Sequence, residues 1–99
     1  MDQQIHVSYL GLVRNVIGCR EENVKAAPGA TIGELLQFLV AKHGDPFQKS
    51  VFKSGGELRS TAQICLNDRD ISELKGFATQ LGNGEDVTIV VGVYPPEGG

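Results

Sequence analysis

The chain has 99 residues, 40% hydrophobic and 21% charged, enough for one domain with a single small core. Its net charge of −3, nine scattered Lys and Arg and six aromatics (two Tyr, four Phe) exclude disorder and a nucleic-acid footprint. Cys19 and Cys65 lack metal-ligand spacing, and no signal peptide or membrane span is present, so a reducing cytoplasm is the expected compartment.

Ile5, Val7 and Tyr9 alternate with His6, Ser8 and Leu10, the period of a half-buried strand. Leu12, Val13, Val16 and Ile17 switch to helical spacing, and Gly18 closes that turn. Residues 22–27 read as a second, antiparallel strand, broken by Pro28-Gly29. Thr31 and Glu34 form a capping box, in which each side chain satisfies backbone N–H groups at the helix start. Ile32, Leu35, Leu36, Leu39 and Val40 then share one helical face, which Phe38 widens. Lys42 and His43 suit the negative end of that helix, and Gly44 suits its termination.

Asp45 as N-cap and Pro46 at the first helical position open a second, short helix carrying Phe47, Val51 and Phe52. Gly55-Gly56 is a turn, and Ala62–Leu66 a strand in which Cys65 reads as core. Cys19, after Gly18 in a turn, could be exposed. Asn67 to Asp70 form a polar reversal, followed by an irregular stretch anchored by Leu74, Phe77 and Leu81. Residues 82–86 make a turn tolerant of positive φ. The last strand starts at Val87 and is apolar on both faces through Val91, as for a central, covered strand.

One main helix packed across a mixed sheet buries these faces most economically. A right-handed crossover sets the first and last strands side by side and parallel, giving an α+β, β-grasp fold over residues 1–94. Residues 95–99 form a separate tail ending in Gly98-Gly99. Without a Cβ, such an arm can thread a channel too narrow for other residues.

No enzyme site is legible. His6 and His43 are distant in sequence and lack a Cys or Ser partner, and His43 reads as a surface residue supporting the helix dipole. Asp68, Asp70, Glu85 and Asp86 read as turn formers rather than metal ligands.

Over nearly its whole length the chain resembles the MoaD/ThiS group of ubiquitin-like sulfur carriers. The likeness rests on residues 12–18 (Leu-Val-Arg-Asn-Val-Ile-Gly), 31–36 (Thr-Ile-Gly-Glu-Leu-Leu), 65–71 (Cys-Leu-Asn-Asp-Arg-Asp-Ile), 76–87 and the terminal Gly98-Gly99. Residues 91–97 make the tail about three residues longer than the family's usual passage from last strand to diglycine.

The resemblance implies that the chain binds no cofactor. An E1-like adenylating enzyme would instead join the Gly99 carboxylate to AMP, using ATP and magnesium. Sulfur from a persulfide donor would then leave a thiocarboxylate on Gly99 for a sulfur-accepting enzyme, such as the molybdopterin synthase large subunit. Thiamin carriers of the family are shorter, lacking the second helix region of residues 45–60, so length favours a molybdopterin-type small subunit or a carrier for cysteine synthesis. A modifier conjugated through Gly99 to lysines would begin with the same acyl-adenylate. In ubiquitin-like folds an apolar patch on the open sheet face docks onto the activating enzyme. Strand alternation assigns Leu10 and Val90 to that patch, with Tyr94 near the exit of the arm and Gly98 inside the channel. A register shifted by one residue would put the Ile5-Val7-Tyr9 side there instead.

Overall fold

The computed structural model describes residues 2–92. The alternating N-terminal segment forms β1 (Gln3–Gly11) and pairs antiparallel with β2 (Glu21–Ala26). Between them a short α1 (Leu12–Ile17) ends on Gly18, whose φ of 87° satisfies the helix terminus in a left-handed conformation. The main helix α2 (Ile32–His43) begins with the expected capping box, and its terminal Gly44 N–H bonds the Val40 carbonyl. Helix α3 spans Asp45–Val51. Its cap position is Gly44 and no side chain caps it, so Asp45 is the first helical residue rather than the N-cap.

Strand β3 (Ala62–Leu66) turns through Asn67 and Asp68 into the two-residue β4 (Arg69–Asp70). Both turn residues have positive φ, 49° and 75°, as a tight two-residue hairpin requires. Two single-turn 3-10 helices (Ile71–Glu73 and Gly76–Ala78) lead towards β5 (Asp86–Val91). The sheet order is β2-β1-β5-β3-β4, with β1 and β5 parallel in the centre and the other pairings antiparallel. This is the expected β-grasp.

The core lies on one side of the sheet. Ile5, Val7 and Tyr9 of β1, Ile64 of β3, and Val87 and Ile89 of β5 meet Ile32, Leu35, Leu36 and Leu39 of α2. Phe47 and Val51 of α3 close one end, while Ile71 and Leu81 seal the long connection. Leu74 packs half-buried against this core, but Phe77 stays 39% exposed. Phe38 does not widen the buried stripe, because its position turns outward and leaves it 48% exposed.

Strand β5 is central in pairing order but covered on one face only. Thr88 and Val90 are half-buried on the side that carries no helix. The same alternation moves Cys65 out of the core onto that open face, opposite Thr88. Cys19 packs half-buried against the core edge.

Candidate functional site

The open face is built from the outward positions of three strands. Parallel pairing sets Leu10 of β1 directly beside Val90 of β5, and Gln63 of β3 continues the row. Leu10 is 47% exposed, unusual for a leucine in a central strand, and Val90 is half-buried. Sequence alternation therefore has the register right: Ile5, Val7 and Tyr9 are fully buried and their neighbours face out. A second row runs Ser8, Thr88, Cys65 and Asp70. Burial, and then the charges of Asp70, Asp68 and Glu73, push the Cys65 thiol up, which disfavours a reactive thiolate.

At the far end, the His6 ring lies between Glu21 on Nε2 and Asp86 on Nδ1, at 3.0 Å for the latter. The Glu21 hydrogen bond, opposed by slight burial and reinforced by Asp86, raises the imidazole above its ordinary range. The face thus grades from carboxylate-rich at His6 to apolar at Leu10.

At its apolar end the chain leaves the sheet. Val91 is held by Gly11 on one side and Ala62 on the other, and the Gly92 N–H donates to the Thr61 carbonyl at 2.8 Å. Gly11 is the residue here that sequence reading missed. Its φ is +77°, and an added Cβ would run into the Val91 carbonyl oxygen. A glycine is required both to turn β1 into α1 and to let β5 approach. The only sequence signal was its place between a strand pattern and a helical one. Tyr94, Gly98 and Gly99, and the expected boundary between residues 94 and 95, lie outside the described residues.

A second polar cluster stands on the covered side, where β2 meets the end of α2. Glu22 accepts hydrogen bonds from Tyr9 Oη, Lys42 Nζ and His43 Nε2, the last at 2.8 Å. His43 is therefore not a free surface residue. It is half-buried between Glu22 and the Tyr9 ring, which it meets edge-on at 6.2 Å. Burial pushes the Glu22 carboxyl up, but the bonds from Lys42, Tyr9 and His43 outweigh it and hold the group below its ordinary range. Tyr9 is raised by burial and by the same carboxylate. Every polar group here is satisfied, so the cluster ties hairpin to helix.

The acidic residues of the turns act as turn formers. Asp70 accepts from the Ser72 N–H at 2.8 Å, and Glu85 accepts from Gly82 N–H and from Asn67 Nδ2. Among the described residues no group of His, Cys, Asp or Glu could hold a metal ion. No helix among them is long and apolar enough to cross a membrane.

A five-stranded mixed sheet with parallel central strands and one main helix across it defines a ubiquitin-like β-grasp protein. The ThiS family model matches residues 7–95, and the chain belongs to that family. It is similar to small archaeal modifier protein 3 of Haloferax volcanii, 25% identical over 96 residues that cover 97% of this chain and 98% of the relative. The crystal structure of H. volcanii small archaeal modifier protein 1 superposes with a TM-score of 0.79 at 21% identity, covering 92% of this chain and 99% of that one. A putative molybdopterin converting factor subunit 1 from Pyrococcus furiosus gives 0.74 at 23% identity, covering 92% and 99%. The chain is thus a small ubiquitin-like sulfur carrier or protein modifier, not an enzyme.

Proposed function

We propose that the protein is a sulfur carrier whose Gly99 carboxylate is activated by an E1-like enzyme using ATP and magnesium. A carboxylate resists attack, because a nucleophile would add negative charge to a carbon already bearing it. Adenylation releases pyrophosphate and makes a mixed anhydride with AMP as leaving group. The terminal sulfur of a persulfide displaces AMP, and a second thiol cleaves the acyl disulfide to leave a thiocarboxylate. That soft nucleophile passes its sulfur to an accepting enzyme, with molybdopterin synthesis as the destination we favour. The helix α3 region supports this over thiamin synthesis, whose carriers are shorter. Leu10 and Val90 dock the activating enzyme, Tyr94 lies near the exit of the arm, and Gly98 passes the narrow channel.

The observation that carries the reading is the anchorage of Val91 between β1 and β3 and of Gly92 on the Thr61 carbonyl, a fixed base directly before the residues leading to Gly99. The relative named as a modifier supports a second reading, in which a lysine ε-amine captures the same adenylate as an isopeptide. Intact mass after incubation with the activating enzyme, ATP and a persulfide donor separates the two. Exchange of one oxygen for sulfur is expected, and conjugates of higher mass would favour the modifier. A Gly99 deletion variant that still accepts AMP or sulfur would refute both.

A further inference from the structure

Beside Gly92, on the helical side of the sheet, a groove opens between α1 and α3, lined chiefly by Leu12, Val16, Lys49, Arg59, Val91 and Gly92. Leu12 is 44% exposed and Val16 41%, so the helical spacing of α1 buries Val13, half-buries Ile17 and leaves Leu12 and Val16 outside. Among the described residues no carboxylate lines this groove, and neither Lys49 nor Arg59 pairs with one. Arg59 Nε donates to the Lys49 carbonyl, which fixes the guanidinium beside the end of α3. The open face carries its carboxylates away from that end, with Glu21 and Asp70 in the Ser8 row and Asp86 on His6. Both flanks of Gly92 are therefore apolar, and the groove adds cations to one of them.

Resting on the activation of Gly99, we propose that this groove is a second contact surface for the activating enzyme, receiving an apolar side chain flanked by carboxylates. Gly99 stands seven residues beyond Gly92, and seven extended residues span at most about 25 Å. An enzyme acting at Gly99 must bring its surface close to Gly92, where the groove lies. The cations of the groove, unpaired among the described residues, select acidic chemistry there, and complementary charge speeds productive encounter. Contact on both flanks fixes the approach direction, which one flat sheet face does not.

The test is ATP–pyrophosphate exchange by the E1-like enzyme of the same organism, with the full chain as substrate. Val16→Asp should lower kcat/KM at least tenfold and Lys49→Glu about fivefold. Lys53→Glu, the same charge change outside the groove, should stay within twofold. Thermal midpoints verify folding, and exposed Lys49 carries the test should the Val16 variant unfold. Wild-type exchange with groove variants within twofold overturns the second surface and leaves the activation of Gly99 standing. No exchange with the wild type overturns both. A concentration-dependent dimer broken by Lys49→Glu would assign the groove to a second copy and refute the proposal. Faster exchange by Lys49→Glu would assign it to the chain's own terminal residues and refute it equally.

Discussion

The two faces of the central strand pair share a backbone and differ in almost everything else. Inward, Val7, Tyr9, Val87 and Ile89 are fully buried under α2. Outward, within one residue of each, stand Ser8, Leu10, Thr88 and Val90, with no element among the described residues laid over them. Apolar character alone does not distinguish the faces, since Leu10 is as hydrophobic as anything inside. The difference is coverage: among the described residues the only long helix crosses one side, so apolar outward residues such as Leu10 stay exposed in the way that marks an interaction surface. Stability belongs to the covered face, and the recognition proposed above to the open one.

The sharpest way to break this division is Leu36→Ala. Leu36 is 1% exposed beneath the covered face, and its loss should cost roughly 2–5 kcal/mol in chemical denaturation while the folded fraction remains activatable. A stable but inactive variant would place recognition on the helix side. Thr31→Ala removes the hydroxyl that accepts the Glu34 N–H and should cost about 1 kcal/mol, again without loss of activation.

The pH response separates the faces by sign. Glu22, on the covered side, is held below its ordinary range, so its contribution is present above the unfolded carboxylate pKa and is lost as pH falls through the folded one. His6, on the open face, is raised above 6.5. Its contribution is complete below the unfolded value and disappears as pH rises through the folded one. Glu22→Gln should flatten the acid limb of a plot of denaturation midpoint against pH. His6→Gln should flatten only the limb near and above neutrality. The reverse assignment would contradict the hydrogen bonding described for both residues.

The smallest effect on stability is expected from Leu10→Glu, within about 0.5 kcal/mol, as for exposed positions in general. Binding to the activating enzyme should nevertheless fall more than tenfold. Unfolding of this variant would mean that the open face bears structural load after all.

Local chemistry explains which features were legible in the chain alone. The Thr31–Glu34 box, the period of Ile5-Val7-Tyr9 and the polar reversal at Asn67-Asp68 each involve residues within a few positions, and all formed as read. His43 was misread because its partner, Glu22, lies 21 residues away on a strand. Phe38 was misread because helical spacing gives a period without saying where the buried arc stops. Cys65 and Val90 sit in apolar runs, and a run cannot tell a strand covered twice from one covered once.

What the sequence by itself determined was the main helices and strands, their order, and the parallel pairing of first and last strands. Each follows from neighbouring residues or from the handedness of a crossover. Only the tertiary structure decided that Cys65 sits on the open face, that Gly11 lets β5 approach the turn into α1, and that Glu22 binds strand to helix. These depend on the coverage and close approach of segments distant in the chain, which no local pattern encodes.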